Sequence, residues 1–197
     1  MDYLQQVRGT NRFVPMGICS GAHDAVRTAL LDERIVGSVL IEFYVYPTSR
    51  YRRHHYVRRL ANPKSWANTI AGRNPLGQSL WYKLGLRAEP PAVKTAAEQM
   101  NEAEDGFIMP QKEVEASLKG LADRGMELCF VFAGASGMCA YERQVYDAYP
   151  ALSGHDHVHV EYFGGADHTF TRLHFQQRLL DAIIRWMPAT DVAGLRA

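Results

Sequence analysis

Gly17-Ile18-Cys19-Ser20-Gly21 sets a thiol between two glycines. The spacing glycine-x-nucleophile-x-glycine suits a tight strand-to-helix turn that holds the central side chain above a sheet. A thiol held there can attack a carbonyl when a histidine takes its proton. The same five residues also fit a plain strand, turn and helix around a small buried cysteine. A candidate base lies far along the chain, in Gly164-Gly165-Ala166-Asp167-His168-Thr169-Phe170. Against that stands a bland alternative, an exposed loop histidine.

Other residues offer other chemistries. His155, His157 and His159 alternate, so in a strand they would share one face and could approach zinc, but no fourth ligand is evident. No metal and no cofactor is expected. Arg50 to Arg59 interleaves arginines with aromatics, a pattern that suits nucleic-acid backbones but occurs in one short segment only. Arg50, Arg52 and Arg53 suit an anionic substrate or partner better, and a solvated helix face is the plain alternative. His23, just after the elbow, either lines the site or serves as a polar residue at a helix start. Cys129 falls in a buried strand and reads as packing.

The elements that must position these groups follow from the apolar pattern. Tyr3 to about Arg12 reads as a helix, Phe13–Gly17 as a buried strand and Ala22–Leu31 as a helix. Arg34–Tyr46 is a second strand. Short helices near Arg52–Leu60, after Asn62-Pro63 and around Leu76–Leu84 follow, then a linker from Arg87 to Pro110. Gln111–Asp123 is helical, Glu127–Phe132 is the third strand and Tyr141–Ala148 is helical. His157–Phe163 is the fourth strand, and Thr171–Met187 is a long amphipathic helix. This alternation predicts an α/β fold, a mostly parallel sheet flanked by helices. Residues 1–43 and 111–197 form its core, and 44–110 a basic helical cap and linker. Such sheets carry their chemistry beyond the carboxyl ends of the strands, which brings Cys19, Gly134–Ser136 and His168 to one edge.

Bulk composition excludes several classes. With 47% hydrophobic and 22% charged residues the chain is an ordinary globular sequence. A net charge of +1 implies no global attraction to nucleic acid. Three cysteines without metal-type spacing argue against a disulfide scaffold and suit a reducing compartment. No apolar run has the length of a membrane span, and Met1–Gln6 is polar and unlike a signal peptide, so a cytoplasmic protein is expected. Charge is unevenly spread. Phe43–Ala88 holds nine cationic residues and no acidic one, leaving −8 on the remainder.

With the elbow and the Gly164–Phe170 segment in this order, the chain resembles the second half of the α/β-hydrolase fold. The resemblance extends to Tyr46-Pro47-Thr48-Ser49-Arg50-Tyr51-Arg52 and Ser65-Trp66. Those look like the cap of hydrolases associated with exopolysaccharide and exosortase gene clusters, whose elbow also reads Gly-x-Cys-Ser-Gly-Ala. It covers nearly the whole chain. The resemblance implies a hydrolase or acyltransferase acting on an ester or thioester through a cysteine acyl intermediate, similar in nucleophile type to dienelactone hydrolases. Cys19 would be the nucleophile, His168 the base, and the Ser20 N–H a donor to the oxyanion.

Two departures from that family stand out. Its acid normally follows the third of these strands, where this chain reads Ala133-Gly134-Ala135-Ser136-Gly137. Ser136 takes the acid's place, and Glu142 could reach back. A cysteine–histidine pair can work with a neutral orienting group. In the complete fold several strands precede the elbow and supply a second oxyanion donor, whereas eighteen residues precede Cys19 here. The expectation is therefore a homodimer or a companion chain covering the Phe13–Gly17 edge. The rival reading is a degenerate hydrolase half acting as a non-catalytic binding or scaffold subunit.

Overall fold

The computed structural model describes residues 1–53 and 109–187, with isolated positions between 66 and 85. The chain divides into two compact units, Met1–Tyr51 with Gln111–Ala197, and Arg52–Pro110. The division falls after Tyr51, because residues 44–51 belong with the sheet. Tyr44 and Val45 are buried there, and the Tyr51 hydroxyl donates to the Gly137 carbonyl (2.8 Å). The sequence-predicted helices of the cap and the linker to Pro110 lie largely outside the described residues. Within the second unit the Trp81 indole N–H donates to the Ile70 carbonyl (3.0 Å).

The first unit is a four-stranded sheet, all parallel, with strands in chain order: β1 (Met16–Ile18), β2 (Gly37–Ile41), β3 (Glu127–Ala133) and β4 (Val158–Phe163). The register pairs Gly17 with Leu40, Leu40 with Phe130, and Phe130 with Val160. Helices connect the strands: α2 (Ser20–Leu31) follows β1, α3 (Gln111–Asp123) precedes β3, and α4 (Gln144–Ala148) lies between β3 and β4. The long α5 (Leu173–Trp186) closes the unit, and a short α1 (Asp2–Arg8) opens it. This is the α/β class that the alternation predicts.

The strands' composition follows their place in the sheet. β2 and β3 are interior strands covered on both faces, so nearly every residue is buried and apolar. Alternate residues serve opposite layers. Val39, Ile41, Cys129, Val131 and Ala133 pack with Phe170, Phe175, Ala182 and Trp186. Their in-between neighbours Leu40, Leu128, Phe130 and Phe132 are fully buried on the other face. α2 packs against β1 and β2 through Ala22, Ala25, Val26 and Ala29. Small residues there let its backbone approach the sheet.

Two strands are shorter than the apolar pattern predicts. The expected Phe13–Gly17 strand pairs as Met16–Ile18, with a separate bridge from Phe13 to Ile35. Pro15 interrupts it because it has no N–H to give a ladder. The expected second strand stops at Ile41, since Glu42 has φ +54°. Among the described residues no helix is long and apolar enough to cross a membrane.

Candidate active site

The carboxyl ends of all four strands lie at one edge, and the elbow is built there from close packing. A Cβ on Gly17 would stand 2.0 Å from the Gly21 carbonyl oxygen, so only glycine lets the turn close. Gly21 has open space around it. Cys19 is the cap residue of α2 and sits at φ +54°, ψ −115°, a conformation that side chains other than glycine rarely adopt. Its N–H donates to the Ile41 carbonyl (2.9 Å), and its own carbonyl accepts from Ala22 N–H (3.0 Å). Cys19 is partly exposed, whereas Cys129 and Cys139 are buried, and burial pushes both of those thiols up to about 12. Ser20 is the first residue of α2, where backbone N–H groups have no intrahelical acceptor and face the positive end of the helix dipole.

His168 comes from the loop after β4. That loop is tied to the loop after β3 by Gly134 N–H on Phe163 O (2.9 Å) and Ala135 N–H on Ala166 O (3.0 Å). The carboxylate of Asp167 turns to its own loop, accepting from the Thr171 hydroxyl and the backbone N–H groups of Thr169 and Thr171. These bonds, the Thr171 hydroxyl first, hold its carboxyl below the usual range. His168 keeps 41% of its side chain exposed, and its Nδ1 lies 3.1 Å from Oε2 of Glu42.

Glu42 is the residue that the sequence reading passes over. It directly follows β2 and is fully buried, and its other oxygen, Oε1, accepts the Ala133 N–H at 2.5 Å. Its own N–H donates to Val131 O (2.8 Å). The side chain therefore reaches from the end of β2, past the end of β3, to the histidine beyond β4. An ionised carboxylate only accepts hydrogen bonds, so against ionised Glu42 a neutral His168 donates from Nδ1–H and has Nε2 left as an acceptor. One signal in the sequence could have found it: Glu42 is the single charged residue between Arg34 and Arg50, inside an apolar run. Among the described residues the non-glycine positions with positive φ are Cys19, Glu42 and Phe170, each in or two residues from this group. Backbone strain of this kind concentrates at functional sites.

The other predicted site residues stand elsewhere. Ser136 shapes the turn after β3, its hydroxyl donating to Ala133 O (2.7 Å) and accepting from Met138 N–H (3.2 Å). Glu142 is exposed, and the carboxylate on His168 is that of Glu42. Arg50 stacks its guanidinium over the Tyr141 ring (5.0 Å) and pairs loosely with Asp147 (3.7 Å). Arg52 and Arg53 are exposed. Of the alternating histidines, His155 faces Asp123 (3.6 Å) and His157 bonds Glu127 (2.8 Å), so these two pair with separate carboxylates.

His23 is buried rather than lining a surface, with 5% of its area exposed. Burial, helped by the Arg27 charge and opposed by that of Asp24, lowers its pKa from 6.5 to about 4. Between those two values the unfolded chain binds a proton at His23 that the folded chain excludes, so stability falls on acidification from pH 6.5 towards 4. The slope from this one group is at most about 1.4 kcal/mol per pH unit. Urea titrations across that window are expected to show a shallower acid loss in His23→Gln than in the wild type. Equal slopes would contradict the assignment.

No family model matches this sequence, and no curated protein matches it.

Proposed function

We propose that the protein is a hydrolase or acyltransferase that opens an ester or thioester through an acyl-Cys19 intermediate. The observation that carries this reading is the buried Glu42 carboxylate on Nδ1 of His168, at the sheet edge where the strained Cys19 begins α2. In the proposed cycle Nε2 of His168 takes the thiol proton as Sγ attacks the carbonyl carbon. The tetrahedral oxyanion accepts the Ser20 N–H. As the carbon–oxygen or carbon–sulfur bond breaks, the imidazolium protonates the departing alkoxide or thiolate, leaving the acyl group on Sγ. Water or an acceptor nucleophile, deprotonated by His168, then attacks the thioester and restores the thiol. Glu42 keeps the imidazole in the required tautomer and stabilises its cation.

A second reading, a non-catalytic binding or scaffold subunit, draws on β1. This edge strand exposes Met16 (61%) and Ile18 (40%), and an apolar edge is a template for pairing. The same feature supports a homodimer or a companion chain covering β1 in either reading.

Intact-mass spectrometry after brief exposure to an activated ester and to a simple acyl thioester tests the catalytic reading. A single acyl adduct is expected, absent in Cys19→Ala and formed on the order of 100-fold more slowly in His168→Ala. An adduct rate indifferent to His168→Ala, or no adduct at all, would transfer the weight to the binding-subunit reading.

A further inference from the structure

Resting on the cysteine–histidine–glutamate reading, we propose that His23 is a positioning residue, clamping the chain segment that carries Glu42 to the helix that carries Cys19. His23 lies on the first turn of α2, four residues beyond the nucleophile. A buried imidazole needs its nitrogens satisfied. Its Nε2 accepts the N–H of Tyr44 (3.4 Å), and its ring stacks on Phe43 with centroids 4.2 Å apart and planes 24° from parallel. Phe43 and Tyr44 directly follow Glu42. On the other side of Glu42, Ile41 O accepts the Cys19 N–H (2.9 Å). The elbow therefore holds the backbone on both sides of the acid.

This clamp falls where the regular ladder has ended. β2 stops at Ile41, and Glu42 turns away at φ +54°. A strained residue keeps its conformation only when its surroundings over-determine it. Beyond Glu42 the peptide groups of Tyr44 are taken by side chains: its N–H by His23 and its carbonyl by the Tyr149 hydroxyl (3.0 Å). An apolar residue at 23 would fill the space yet leave the buried Tyr44 N–H without an acceptor. The Glu42 carboxylate would then lose its register with His168, and a displacement of about 1 Å can cost up to 100-fold in rate. His23 touches neither substrate nor the reacting atoms and acts through Glu42.

The experiment measures the rate of Cys19 alkylation by iodoacetamide as a function of pH in the wild type, His23→Leu and His23→Gln, with His168→Ala as reference. Glutamine places an amide oxygen at a reach close to that of Nε2, whereas leucine offers volume without an acceptor. His23→Leu is expected to slow alkylation about tenfold and move the pH midpoint towards that of His168→Ala. His23→Gln is expected to stay within about threefold of the wild type, with its midpoint kept. Wild-type rate and midpoint in His23→Leu would overturn the inference while leaving the catalytic reading intact. A wild-type thiol no faster than that of His168→Ala would overturn that reading and this inference with it. Should His23→Leu not fold, nitrogen NMR of the wild type decides. The inference requires an unprotonated Nε2 on His23 and slow exchange of the Tyr44 amide, and a protonated Nε2 or fast exchange would overturn it.

Discussion

Glu42→Gln is expected to slow acylation of Cys19 by about 100-fold or more while the protein still folds. Glutamine matches glutamate in size, so its oxygen can keep the bond from Ala133 N–H. Its amide nitrogen then faces Nδ1 of His168 and can only donate, which drives the imidazole proton to Nε2. A histidine with its proton on Nε2 cannot accept the thiol proton. The comparable change in a serine triad costs about 10,000-fold; a thiol, closer to ionising unaided, should lose less. Glu42→Asp should lose activity by another route, because one methylene fewer cannot span from β2 past the end of β3 to the histidine. Ser136→Ala and Glu142→Gln should both remain within about threefold of the wild type, since neither side chain holds His168. Single-turnover acylation rates measure all four. Near-wild-type rates in Glu42→Gln, or a large loss in Glu142→Gln, would remove Glu42 from the mechanism.

The second large effect is on stability and separates the two glycines of the elbow. Gly17→Ala puts a Cβ within 2.0 Å of the Gly21 carbonyl oxygen and 2.6 Å of the Ala22 nitrogen. These are backbone atoms at the start of α2, and they cannot yield without opening the turn. Overpacking costs of about 3 kcal/mol or more are expected, enough to unfold a marginally stable domain. Gly21→Ala meets nothing within 4 Å and lies on the first turn of a helix. Alanine there is expected to be neutral or to stabilise by about 0.5–1 kcal/mol. Urea unfolding of both variants gives the comparison. A destabilised Gly21→Ala beside a tolerated Gly17→Ala would contradict the elbow geometry.

The order of elements and the parallel sheet were legible in the sequence because they rest on local patterns. Apolar runs such as Val36–Ile41 and Leu128–Phe132 are long enough to mark buried strands, and the spacing in α2 and α5 marks helices. The elbow was legible for a similar reason: two glycines around a small cysteine segment describe a turn whose geometry is set within five residues. His168 could be named because chain order brings a loop after the last strand to the same edge as Cys19.

The carboxylate on His168 could not be read in that way. Glu42 and His168 are 126 positions apart, and their contact depends on the lateral order of three strands and on one residue leaving the β conformation. An apolar run of 4–8 residues marks a strand but not the residue at which it stops, so the pattern predicts a second strand straight through Glu42 to Tyr46. The resemblance to α/β-hydrolases places the acid after the third strand instead, at Ser136 or Glu142, and neither side chain holds His168. His23 carries the same lesson. Its position after the elbow pointed to the site, but only packing against Phe43 and Tyr44 decided that it faces inward. The sequence by itself determined which elements form and which edge carries Cys19, because turns and periodicity are local. The tertiary structure alone decided which carboxylate holds the histidine, because that depends on where three strands end relative to one another.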